Sequence, residues 1–236
     1  MNPAILTTAP LDHGLMANAA GSASFDALLT ETQACLRNAR VPVLVESSSA
    51  HPRLVAVDDL SRTQRRWLGQ VVLELYFCQL LGSDCAAVDL WPSRLGINAD
   101  GDAVWYPRPI YVRWEPKFLT ALRDFYAGFF FEDSERFERA SGALGLGTAS
   151  ALLRSHLGEG NQRGVRFSAA ELQDTLEALP EYRRPQDAPL HGNLMAFCRH
   201  VTSLHAHLES LGLAFDVRSA FVRSHTRTNA DERRAS

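Results

Sequence analysis

Lysine is almost missing from this sequence: Lys117 is the only one, so nearly all of the positive charge is arginine. There is no glycine-rich loop upstream of it either, which excludes a phosphate cradle built from lysine and glycine in the first half of the chain. Cysteine is sparse. Cys35, Cys78, Cys85 and Cys198 are scattered and form no Cys-x-x-Cys pair, which argues against a disulfide framework or a zinc site and for a reducing compartment. Positive charge is not in excess, the net charge being −3, and a general nucleic-acid binder would show a basic footprint. No run approaches the roughly 18–20 apolar residues of a membrane span. The opening "MNPAILTTAPLDHGLMANAAGSAS" lacks a basic segment followed by a long apolar one, so no signal peptide is expected. The remaining class is a soluble cytoplasmic protein of 236 residues, enough for one large domain or one domain with a helical extension.

The apolar periodicity predicts mostly helices. Residues 1–22 are small and polar and read as a poorly ordered arm. Phe25 to Asn38 suits an amphipathic helix. "VPVLVE" and "RLVAVDDL", separated by "SSSAHP", read as a hairpin or two neighbouring strands. Ser61 is placed to cap a long helix ending at Gly82, apolar over so much of its surface that it must be buried on more than one side. Two short strands, near Leu95–Ile97 and Ala103–Tyr106, flank the turn "NADGD". Helices resume with "PKFLTALRDFYAGFFF", "DSERFERASGAL", "TASALLRSHL", "SAAELQDTLEAL" and "NLMAFCRHVTSLHAHLESL", and "TRTNADERRAS" reads as a polar tail.

The middle of the chain carries the candidate chemistry. "RLVAVDDL" precedes the long helix, "VDLWPSRLGI" follows it as a loop with one acid, "DGDAVWY" makes the hairpin, and "FLTALRDFYAGFFFEDSERFERASGALGL" continues as helices. This order, over roughly residues 25–146, resembles the lower lobe of the AarF/UbiB atypical kinase family. The resemblance implies a catalytic loop at Asp89, but its neighbours depart from the family pattern. Ala87 stands where the family has His, Arg94 where it has a metal-binding Asn, and Pro107 where it has the metal-binding Asp. Phosphoryl transfer needs divalent cations held by side-chain oxygens. Proline offers none and arginine repels a cation.

Each candidate has two readings. Asp89 is either a residual catalytic base or a loop carboxylate capping a backbone N–H. Arg94 and Arg108 either meet an anion where the metal would sit or are solvated, ion-paired arginines. Trp91 and Trp105, with Tyr106, Tyr111 and Trp114 around them, either fill the core or line a ligand or partner surface. "LHGNL" resembles a kinase His-Gly-Asp loop only in its first two polar positions; Asn193 replaces the Asp, and the segment reads as a helix start capped by Asn193. His200 and His207 are two turns apart on one helix, roughly 10 Å, too far to share an ion, and with His205 they read as boundary residues of an amphipathic face.

The expected fold is α+β and predominantly helical: a kinase-like lower lobe with small β-hairpin elements over residues 23–146, a helical C-terminal extension over 147–225 and a polar tail over 226–236. The expected function is that of a non-catalytic, kinase-like accessory or binding protein, with no metal and no cofactor. The resemblance implies a setting in isoprenoid-quinone, lipid or specialised-metabolite biosynthesis and a protein partner there. The alternatives are an atypical nucleotide-dependent enzyme using Asp89 and an α-helical interaction protein unrelated to kinases.

Overall fold

The computed structural model describes residues 25–46, 53–108, 110–158, 164–182 and 192–235. The expected N-terminal arm and most of the connector "YRRPQDAPLHG" lie outside the described residues. The chain begins with helix α1 (Phe25–Asn38), a short strand β1 (Leu44–Val45) and a single 3-10 turn over Val57–Asp59. Helix α2 (Arg62–Gly82) follows. Its start is set by a reciprocal cap: the Gln64 N–H donates to Ser61 Oγ at 3.2 Å and the Ser61 N–H donates to Gln64 Oε1 at 3.0 Å. That pairing satisfies two backbone donors that the helix itself cannot.

After α2 come strands β2 (Cys85–Ala87), β3 (Leu95–Ile97), β4 (Ala103–Trp105) and β5 (Tyr111–Arg113). β3 and β4 are antiparallel, Leu95 facing Trp105 and Ile97 facing Ala103. Their turn is held by Asn98, whose side chain accepts from the N–H groups of Asp100 and Asp102. Gly101 supplies the positive φ of +91° that this turn needs. β1 lies parallel to β4 on its other side, and β2 pairs antiparallel with β5.

The remainder is helical: α3 (Pro116–Phe130), α4 (Ser134–Ala143), a 3-10 turn over Gly147–Ala149, α5 (Ser150–Leu157), α6 (Ala169–Tyr182), α7 (Leu194–Ser210) and α8 (Val217–Ala235). A last small ribbon joins β6 (Val165–Arg166) to β7 (Ala214–Phe215). The result is a predominantly helical α+β fold, as the sequence predicts. Among the described residues, no helix is long and apolar enough to cross a membrane.

α2 is the axis of the molecule. It touches α1, α3, α7 and α8 and the strands β2 and β7, and a run from Leu68 to Leu81 is almost continuously buried. α3 and α4 cross so closely that a Cβ on Gly128 would stand 2.5 Å from the Phe137 nitrogen. Residues on both sides of position 146 share one apolar core, from Leu28 of α1 to Phe221 of α8.

Several expectations need correction. "RLVAVDDL" forms no strand: it enters the 3-10 turn, and it meets the hairpin through the Val55 N–H, which donates to Ile97 O, and through Leu54, packed over Gly96. Its alternation is too short to compete with the turn. The polar tail "TRTNADERRAS" carries a helix that was not expected, because α8 runs through it to Ala235. That helix starts where Asp216 accepts from the Ser219 N–H. It is anchored by Phe221 in the core and by Arg223 and Arg227, both bonded to Glu74 of α2. The cysteines are scattered in sequence only. Cys35 of α1 and Cys78 of α2 bring their sulfurs to 3.1 Å, and the hydrogen bond between them lowers the pKa of Cys35 and raises that of Cys78.

Candidate functional site

The loop that follows β2 is bonded to its surroundings at Val88, Asp89 and Leu90. The Val88 N–H donates to Ile110 O at 3.2 Å. Asp89 is fully buried. Its Oδ2 accepts from the backbone N–H and the Nε of Arg108, each at 3.0 Å, and its Oδ1 accepts from Arg108 Nη2 at 2.8 Å. Its carbonyl accepts from the Trp105 indole N–H at 2.8 Å. The Leu90 N–H donates to Ser203 Oγ at 3.4 Å, and Leu90 O accepts from His207 Nδ1 at 2.8 Å. A carbonyl only accepts, so His207 carries its proton on Nδ1.

These contacts leave Asp89 enclosed. A carboxylate that acts as a base needs a lone pair open to a substrate. Here three N–H donors meet the two oxygens, and the side chain exposes 0 % of its surface while Arg108 keeps 40 %. The carboxylate caps the Arg108 backbone and forms a bidentate ion pair, the geometry for which guanidinium is suited. Arg108 is thus tied to Asp89 through both its backbone N–H and its guanidinium.

The other predicted residues separate. Trp105 is fully buried, with its indole N–H committed to Asp89, so the expectation that it faces a ligand or partner is corrected: it is the floor of the loop. Trp91 is half-buried at the rim, where its carbonyl accepts from the N–H groups of Arg94 and Leu95. Arg94 is bound into the hairpin through its carbonyl, which accepts from the Tyr106 N–H. Asn193 precedes α7, but its side chain does not cap that helix; it accepts from the Glu115 N–H at 2.9 Å, at the start of α3.

The α7 histidines are not boundary residues. His200, His205 and His207 are all buried: His207 meets the Asp89 loop at Leu90 O, and His205 packs against Phe167, next to α6. Burial pushes their pKa values down, to about 3 for His200 and about 4 for His205 and His207. His200 lies stacked on Tyr76, ring centroids 4.8 Å apart. The roles of Ser203 and His207 as loop clamps escaped the sequence reading, since nothing local links them to residues more than a hundred positions upstream.

Among the described residues, one group has the composition of a cation site: Glu31, Asp84 and Cys85, at the far end of β2. Asp84 is already paired with Arg113 at 2.7 Å. A second feature has no sequence signature at all. Between α2, α3, α5, α6 and α7 lies a small apolar cavity of about 50 Å³. Leu73, Phe118, Leu153, Leu176 and Val201 are among its walls, with Tyr76, Tyr126, His156 and His205 also lining it. Compared with known proteins, the chain matches no protein-family model and no curated protein.

Proposed function

We propose that the chain is a non-catalytic accessory or binding protein built on a kinase-like layout. The observation that carries this reading is the Asp89–Arg108 clamp. The acid that the AarF/UbiB resemblance assigns to the catalytic loop is enclosed and bonded on both oxygens. The two positions that would hold metal are Arg94 and Pro107, and neither supplies an oxygen ligand from its side chain. The resemblance supports a setting in isoprenoid-quinone, lipid or specialised-metabolite biosynthesis, in the cytoplasm and with a protein partner.

The competing reading is an atypical nucleotide-dependent enzyme working through Asp89. Calorimetric titration of Mg·ATP into the full chain separates the two. We expect no affinity tighter than roughly millimolar, since the phosphates would meet neither a lysine nor a metal ligand. A micromolar dissociation constant would overturn the non-catalytic reading.

A further inference from the structure

Cys35 lies in α1 and Cys78 in α2, and the packing of these helices brings the two sulfurs to 3.1 Å. A disulfide bond measures about 2.05 Å, so an approach of about 1 Å would join them. The backbones are close as well. Cys35 Sγ stands 3.5 Å from Cys78 O, and Cys78 Sγ stands 3.6 Å from Cys35 O. Each thiol already reaches the other residue's main chain, so neither has to swing across a gap. Gly82, one turn beyond Cys78, leaves the Cys35 sulfur its place: a Cβ there would stand 2.9 Å from it.

The two thiols are not equivalent. Cys35 is partly exposed, whereas Cys78 is buried, with 2 % exposure. The hydrogen bond from Cys78 holds the Cys35 pKa below its ordinary value, against burial and the Glu31 carboxylate, and the Arg123 guanidinium adds to the lowering. Arg123 is fixed by its bonds to Leu80 O and Ser83 O, at 2.9 and 3.0 Å. An accessible sulfur that favours the thiolate, with a second sulfur in contact, is the arrangement of a nucleophile and its resolving partner. Burial keeps the other two cysteines as thiols: it raises the Cys85 pKa and pushes Cys198 up to about 11.

We propose that Cys35 and Cys78 form a reversible disulfide site, oxidised by hydrogen peroxide or a related hydroperoxide and reduced again by small thiols. Cys35 reacts first. Its sulfur attacks one peroxide oxygen, an S–O bond forms and the O–O bond breaks. The departing hydroxide takes the Cys35 proton and leaves as water. The Cys78 sulfur then attacks the sulfenic sulfur of Cys35. The S–S bond forms, the S–O bond breaks, and hydroxide leaves with the Cys78 proton as a second water. The pair has lost two electrons and the peroxide has gained them.

The product ties α1 to α2 and closes the stretch of chain that carries β1 and the first 3-10 turn. A cross-link of this kind constrains the unfolded chain and so stabilises the oxidised fold. The site goes beyond the binding-protein reading and does not rest on it.

The test uses the full, reduced chain at pH 7.5, treated with a slight excess of hydrogen peroxide, alkylated and digested without reductant. The denatured chain should lose two of its four free thiols and regain them with dithiothreitol. Trypsin leaves Cys78 and Cys85 on one peptide, 67–94, so fragment ions are read to place the link, which is expected on Cys78. The oxidised chain should melt about 5–10 °C above the reduced one. Cys78→Ser should stop the reaction at Cys35, where dimedone captures the sulfenic acid. Cys35→Ser should slow thiol loss about tenfold or more. Retention of all four thiols, a link from Cys35 to Cys85, or links between chains alone would overturn the site. An oxidised chain that melts no higher than the reduced one would overturn the cross-link's effect on the fold. Equal thiol loss in Cys35→Ser would overturn the order of attack. The thiol count and the mapping are made on the unaltered protein, so they decide even where a substitution impairs folding.

Discussion

At Asp89 the two members of the ion pair are not equivalent. Removing Arg108 leaves a fully buried carboxylate with a single backbone donor. Arg108→Ala should therefore destabilise by about 3 kcal/mol, the low end for a broken buried pair because the guanidinium is partly exposed and water can replace some of it. Asp89→Asn is gentler. The amide oxygen can still accept from the Arg108 N–H, and Arg108 can turn towards solvent, so about 1–2 kcal/mol is expected. Urea unfolding of the two variants checks the order. If Asp89→Asn cost more than Arg108→Ala, the carboxylate would have partners beyond this clamp. At matched soluble abundance, Asp89→Asn should keep whatever cellular function the protein supports, because the non-catalytic reading gives the acid no chemistry to lose.

Among the elements, α2 is the one on which the fold depends. Leu75 lies at its centre with 0 % exposure. Leu75→Ala should cost about 2–5 kcal/mol, read from urea unfolding; a change below about 1 kcal/mol would mean that the core repacks around the gap. This helix was legible in the sequence because its signals are local: a capping box at Ser61 and Gln64, then an apolar surface too broad for a solvent-facing helix. β2 and β5 were not legible. Three residues such as "CAA" and "YVR" are too few to show alternation, and their pairing joins Cys85 to Arg113 across the whole hairpin. α8 was misread for the opposite reason. Its composition is polar, and what holds it, Phe221 in the core and two arginines on Glu74, becomes visible only once α2 is beside it. The candidate site divides in the same way. Asp89 and Arg108 were both singled out, but nothing in their local sequence shows that residues nineteen positions apart pair with each other.

Taken as a whole, the molecule keeps three buried histidines neutral, and this couples its stability to pH. In the unfolded chain they titrate near 6.5, whereas folded they bind a proton only near pH 3 to 4. Between those limits the unfolded state holds protons that the native state does not, so stability is complete above about pH 6.5 and falls as the pH drops. Each histidine contributes up to about 1.4 kcal/mol per pH unit in that window. Urea midpoints at pH 7.5, 6.5 and 5.5 should decline below the second value, before most carboxylates begin to protonate. A midpoint unchanged down to pH 5.5 would mean that these rings are hydrated.

The clamp on the Asp89 loop also has a consequence in time. Leu90 is held by Ser203 and His207, 113 and 117 positions further along, and Glu74 by Arg223 and Arg227, 149 and 153 positions away. Closing loops of that length adds little to the equilibrium cost, since the entropy grows only with the logarithm of length, but contacts so distant in sequence slow folding. On the ribosome, at about 5–20 residues per second, the loop and the apolar flank of α2 wait roughly ten seconds for α7 and α8 to be made. Through that interval the nascent chain displays the surface that later becomes its centre, and it is then that a chaperone would have most to hold.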